Sequence, residues 1–119
     1  MTFDLPFPKV SDLSQNARHH WRKRAGLVKA ARREGWAVAA SEVARSLPAL
    51  NERPLPVQIT FHPPDLRPRN FDNCISALKA YADGVADAIG VPDEHWRVSY
   101  HQGDPVKGGK VTVRIGGAP

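Results

Sequence analysis

The chain has one cysteine, Cys74, in 119 residues, so it cannot form an intrachain disulfide, and the cross-linked framework of a small secreted domain is excluded. No stretch approaches the roughly 18 consecutive apolar residues of a membrane span, and the opening MTFDLPFPKV lacks a basic segment followed by an apolar run. A soluble, cytoplasmic protein with no membrane partner is the expectation. Internal repeats, low-complexity tracts and linkers are also missing, and the length suits one domain with one core over residues 1–119. His19 and His20 have no partner at metal-ligand spacing, which leaves them as surface histidines. The glycines and lysines of PVKGGK, residues 105–110, lack the ending of a phosphate-binding loop. Nothing resembles a nucleophilic triad, and Cys74 has no assignable histidine, so it is read as packing.

What the chain does have is positive charge. Seventeen Lys plus Arg against 12 Asp plus Glu give a formal charge of +5 and a pI near 9.8, a balance that favours a polyanionic partner, nucleic acid first. A basic solvated surface would give the same numbers, and composition does not separate the two.

Phe3, Leu5 and Phe7 alternate as a short edge strand closed by Pro6 and Pro8. Residues 11–47 read as one long helix, with Trp21, Val28, Ala31, Gly35, Val38, Ala39 and Val43 recurring at three- and four-residue steps and Ser11 or Ser14 as its cap. Pro48, Pro54 and Pro56 interrupt the chain before a strand in which Val57, Ile59 and Phe61 alternate. Residues 71–89 carry Ile75, Leu78, Ala82, Val85 and Ile89 on one stripe, a helix stopped by Gly90 and Pro92. Trp96, Val98 and Tyr100, then Val111, Val113 and Ile115, alternate as two strands, expected to form a β-hairpin across the glycine-rich turn between them. The expected architecture is α/β of the α+β type: one small domain, a mixed sheet of about four strands covered by two main helices, in the order β-α-β-α-β-β.

The second helix also carries chemistry. At about 100° per residue, Asp72, Ser76, Lys79 and Asp83 fall within a wedge of roughly 60° beside its apolar stripe. Lys79 and Asp83 are an i, i+4 pair, and such pairs commonly do no more than solvate and steady a helix. The flanks add weight to a functional reading, because Arg67, Arg69 and Asn70 lead into the helix and Asp93 and Glu94 follow it. A helix of this length is close to 30 Å long, so the two acidic clusters meet only if the chain after residue 90 folds back. Converging carboxylates on a basic chain suit a hard divalent ion such as Mg²⁺, which takes one or two carboxylates plus water and phosphate oxygens.

The segment RNFDNCISALKAYADGVADAIGVPDEHWRV resembles the signature of the RusA family of Holliday-junction resolvases, in which D-x-D-N opens a helix, a lysine and an aspartate follow, and a pair of acids comes in the loop beyond. The likeness covers roughly residues 57–115, and the first half only loosely. It implies a homodimeric, Mg²⁺-dependent endonuclease, with Mn²⁺ as a possible substitute, that cuts four-way junctions or other branched DNA in recombination and repair. By the resemblance Asp72 and the paired Asp93 and Glu94 are metal ligands, Lys79 is catalytic, and Asn73, Ser76 and Asp83 support them. Asn70 stands where the family typically has its first ligand aspartate. Three readings follow: Asn70 is a neutral ligand, the loop acid Asp65 substitutes for it, or cleavage is weakened or lost and the chain only binds branched DNA.

RHHWRKR, residues 18–24, interleaves an aromatic with cations. Trp21 falls on the apolar stripe and is read as core, while Arg18, Arg22, Lys23 and Arg24 are read as phosphate-facing. Arg67, Arg69, Lys107 and Lys110 complete the expected DNA contacts.

Overall fold

A computed structural model describes residues 1–14 and 20–116. Its elements run β1 (Thr2–Leu5), α1 (Val10–Leu13), α2 (Trp21–Ser46), β2 (Leu55–His62), α3 (Phe71–Ile89), a single 3₁₀ turn (Asp93–His95), β3 (Trp96–Gln102) and β4 (Lys110–Ile115). The four strands form one mixed sheet in the order β1-β4-β2-β3, so the expected α+β class, with a four-stranded sheet and two main helices, holds.

The period-2 pattern sets the sheet's two faces. Phe3, Leu5, Leu55, Val57, Ile59, Phe61, Val111, Val113 and Ile115 are all buried on one side, under α2 and α3. The opposite side carries Asp4, Gln58, Arg97 and Ser99, all exposed. β1 is an edge strand, as expected, and ends at Leu5 before Pro6. β2 begins at Leu55 and includes Pro56, close to the strand start where a missing N–H is tolerated.

The expected hairpin is overturned. β2 lies between the last two strands: it pairs parallel with β3 (Val57 opposite Val98, Ile59 opposite Tyr100) and antiparallel with β4 (Ile59 opposite Val113). A parallel neighbour requires a crossover, and α3 supplies it. The glycine-rich segment therefore does not pair β3 with β4 as a hairpin but crosses the end of β2, where Gly103 N–H donates to the Phe61 carbonyl (2.8 Å) and Val106 N–H to the Pro63 carbonyl (2.9 Å), and then turns at Val106–Gly109 into β4, Gly109 N–H donating to the Val106 carbonyl (2.9 Å).

The single long helix over residues 11–47 is also corrected. α1 ends at Leu13, and α2 starts at Trp21. Ser14 follows α1 rather than capping a longer helix, and the cap of α2 is His20, whose Nδ1 accepts the Arg22 N–H at 3.2 Å. Trp21 is 67% exposed, not core. The reason lies in how α2 meets α3. Gly35 faces the Tyr81 backbone and Gly84 faces Arg32 and Trp36, while Arg32 reaches Asp87, an antiparallel crossing. On that register the last residues of α3 lie opposite the region of Val28, and Trp21 projects beyond the partner helix although its phase is correct.

The crossing is close because both helices present small residues. Ala31, Gly35 and Ala39 of α2 are buried against a face of α3 that includes Ala77, Ala80 and Gly84. A Cβ at Gly84 would collide with the Arg32 carbonyl and lie 2.7 Å from the Trp36 nitrogen, and a Cβ at Gly35 would meet the Tyr81 carbonyl. Neither obstacle is a flexible side chain. Gly84→Ala is therefore expected to destabilise the fold by about 2–3 kcal/mol through overpacking, whereas Gly26→Ala, where a Cβ meets nothing within 4 Å, should be neutral or stabilise by roughly 0.5–1 kcal/mol through helix propensity. Urea unfolding midpoints of the two variants check both outcomes.

Candidate functional site

α3 starts at Phe71 because Asn70 caps it: the Asn70 side-chain oxygen accepts the Asn73 N–H at 3.1 Å. The helix ends at Gly90, whose φ of 73° is left-handed and whose N–H returns to the Ala86 carbonyl at 3.0 Å. Val91 then turns into the core at 3% exposure. The Trp96 indole N–H, at the start of β3, donates to the Val91 carbonyl at 2.9 Å. These anchors reverse the chain within six residues, and the 3₁₀ turn between them carries Asp93 back toward the middle of α3.

The chain after residue 90 therefore folds back as far as the middle of α3, where Asp93 meets Lys79. A groove of about 330 Å³ runs between α3 and β3, with Asp72, Ser76, Lys79 and Asp93 along it and Ile75, Trp96, Val98 and Tyr100 among its apolar and aromatic walls. Lys79 Nζ bridges two carboxylates, 2.8 Å from Asp83 Oδ1 and 2.9 Å from Asp93 Oδ2. Those contacts, the one to Asp83 first, raise the lysine pKa against the opposing effect of burial. The ion pair thus contributes fully below the ordinary lysine pKa and is lost as pH climbs through the raised value.

Of the paired loop acids, Asp93 lines the groove and Glu94 does not; Glu94 is exposed on the 3₁₀ turn. Asp72 sits in the first turn of α3, two turns and about 10 Å along the axis from Lys79. Among the described residues no three His, Cys, Asp or Glu side chains form a group that could hold a metal ion. Mg²⁺ takes one or two carboxylates from a protein and leaves the remaining positions to water and phosphate, and Asp72 and Asp93 are the carboxylates along this groove. Tyr100 belongs to this groove and was not singled out from the sequence. Burial raises its pKa, with Lys79 opposing and Asp93 adding to the effect, so it remains a neutral hydroxyl. Alternation had put it on the inner face of β3, but only the parallel pairing with β2 brings it against α3.

Asp65, the loop acid offered as a substitute for an aspartate at position 70, does not line this groove. It lies in a separate cavity of about 370 Å³ with Phe7, Leu66 and Phe71. It accepts the Arg67 N–H at 2.9 Å and pairs with Arg69 at 2.9 Å and Arg67 at 3.3 Å. The Arg67 backbone N–H is the largest cause of its lowered pKa, with the two guanidinium groups adding to it.

The expected DNA contacts divide. Arg67 is 80% exposed despite its partner, while Arg69 is held at 22% by Asp65 and the Asp65 and Arg67 carbonyls. Arg24 is spent on the fold: its guanidinium caps the end of α1, donating to the Ser14 carbonyl at 2.7 Å and the Leu13 carbonyl at 3.3 Å. Arg22 lies over the Trp21 ring, 5.1 Å from its centroid, and Lys23 is exposed. Lys107 is exposed in the turn before β4, and Lys110 pairs with Asp4 at 3.6 Å. Arg18 and His19 lie outside the described residues. Cys74 is buried, and burial raises its thiol pKa, as its reading as a packing residue requires.

Two outcomes follow from the capped helix and the bridging lysine. Asn70→Ala should cost about 1 kcal/mol of stability, while Asn70→Asp should cost nothing, because a carboxylate caps equally well and suits the helix N-terminus; chemical denaturation compares them. In heteronuclear NMR, Lys79 should titrate above the ordinary lysine value, and Asp83→Asn should lower its midpoint more than Asp93→Asn does.

No family model matches the chain. Over 100 residues it is 39% identical to an uncharacterized protein of Xylella fastidiosa (strain Temecula1 / ATCC 700964), in an alignment that takes in 77% of this chain. The chain spans 60% of that relative's length.

Proposed function

We propose that this protein is a Mg²⁺-dependent, structure-specific DNA endonuclease, similar to the RusA resolvases, that hydrolyses phosphodiester bonds at four-way junctions or related branched DNA. The observation that carries the reading is the groove between α3 and β3, where Asp72, Ser76, Lys79 and Asp93 come together on a chain of net charge +5. An acidic centre on a basic protein is what phosphodiester hydrolysis needs, since cations hold the backbone while carboxylates hold an ion.

Asp72 and Asp93 would hold Mg²⁺, or Mn²⁺ in its place. The bound ion would supply Lewis-acid activation of water and neutralise charge on the phosphate. Lys79 has two tasks. Without substrate it balances Asp83 and Asp93; at 63% exposure its ammonium group is free to turn toward a phosphate oxygen. Ser76 and the neutral Tyr100 hydroxyl offer hydrogen bonds to the backbone beside it. A homodimer would present two such grooves to the two-fold symmetry of a four-way junction.

A second reading has its own observation. The Asn70 oxygen is engaged by the Asn73 N–H and adds no charge, so ion affinity would be lower than with an aspartate there. A chain weakened in this way would bind branched DNA without cutting it.

Incubating the purified protein with a labelled four-way junction and a linear duplex, with and without Mg²⁺, separates the readings. For the enzyme, the junction should be nicked only with Mg²⁺ or Mn²⁺, chelation should abolish nicking, and Asp72→Asn should reduce it at least ~100-fold, the scale on which charge-stabilising groups act. Tight junction binding without nicking, with cleavage appearing in Asn70→Asp, would establish the second reading. Equal affinity for branched and linear DNA would defeat both.

A further inference from the structure

The outward face of α2 carries a row of cations that the groove does not use. Arg22, Lys29, Arg33 and Trp36 recur at seven, four and three residues, a spacing that places them within about 60° of one another on the helix surface. All four are exposed, Trp36 at 49%. The buried face of the helix, Ala31, Gly35 and Ala39, points elsewhere. Neither Lys29 nor Arg33 pairs with a carboxylate among the described residues.

This row lies on the helix packed against α3, the helix that carries the candidate groove. Trp36 and Arg32 lie against Gly84 of α3, one residue beyond Asp83. Lys29, Arg32, Arg33, Trp36 and Asp87 line a shallow depression of about 240 Å³ across the seam between the two helices. The acids on this seam are already balanced, Asp87 by a bidentate bond from Arg32 at 2.7 and 3.0 Å and Asp83 by Lys79. The positive charge of Lys29 and Arg33 is therefore uncompensated, and a broad indole lies between it and α3.

Resting on the nuclease reading above, we infer that the Arg22–Lys29–Arg33–Trp36 face of α2 is the docking surface for a DNA segment leading away from the groove. The cations lie along its phosphate backbone, and Trp36 covers a sugar or an unstacked base. Charge complementarity selects the partner, since a row of cations ending in an exposed aromatic suits a polyanion with flat apolar faces. The length suits it as well. Arg22 to Trp36 spans about 21 Å of helix, the axial rise of roughly six base pairs.

The test is the salt dependence of four-way-junction binding by the full chain. The double variant Lys29→Gln/Arg33→Gln should lower the slope of log affinity against log salt by about 2, one counterion per lost phosphate contact. Trp36→Ala should weaken binding about 10-fold at every salt concentration with the slope unchanged, and Trp36→Phe should recover most of that loss. Arg97→Gln/Arg114→Gln, on the far face of the sheet, should leave the slope as in the wild type. Urea midpoints near the wild-type value certify that the variants fold. A wild-type slope in Lys29→Gln/Arg33→Gln would overturn the inference while leaving the nuclease reading standing. So would an equal fall in the far-face pair, which would mark general charge attraction, or a loss of self-association in place of DNA binding, which would mark the face as a contact between copies. A wild type that does not bind branched DNA at all would defeat the nuclease reading itself.

Discussion

The parallel ladder between β2 and β3 is the constraint on which the site depends. A strand that must run in the same direction as β2 cannot be reached by a tight turn, so the chain crosses over through α3 and then reverses at Gly90. The reversal is short and anchored at both ends by Val91 in the core and the Trp96 indole on the Val91 carbonyl. Asp93, caught in it, has little choice but to face the helix it has just left. Without that pairing, Asp72 and Asp93 would be acids at opposite ends of a 19-residue helix. With it, both line one groove.

A second closeness supports the first. α2 can lie on α3 only because Gly35 and Gly84 leave no side chain at the crossing, and this fixes the face α3 turns to the sheet and the flank it leaves open. The open flank is the polar strip of Asp72, Ser76, Lys79 and Asp83. Packing with small residues thus acts at a distance, by setting the rotation of the helix that carries the polar strip. It also brings Arg32 and Trp36 to the seam between the two helices.

Electrostatics gives the groove a latent character. Lys79 holds Asp83 and Asp93 in one network, and an arriving phosphate or ion would compete for the same groups. Asn70 holds the start of the helix: an oxygen is required there to cap α3, and asparagine supplies it without charge. An aspartate would cap the helix as well and add a negative charge near Asp72, so the two differ in charge and not in the cap.

Local patterns were sufficient wherever the physics is local. The boundaries of α3 could be read from the stripe of Ile75, Leu78, Ala82, Val85 and Ile89 and from Gly90, because periodicity and a left-handed cap are properties of adjacent residues. The inner and outer faces of the strands followed from alternation for the same reason. The strand partners did not: β4 pairs with β2 and not with β3, since pairing depends on how a crossover packs and not on which segments are neighbours in the chain. Trp21 has the right phase for the core and lies outside it, because burial needs a partner helix long enough to cover it. Arg24 was read as a cation for phosphate and is a cap for α1, a role defined by carbonyls ten residues away. The sequence by itself determined which residues could carry charge, coordinate an ion or stop a helix, since those are properties of the side chains. Only the tertiary structure decided which of them meet, choosing Asp93 over Glu94 and adding Tyr100, because the crossover sets direction and distance in space.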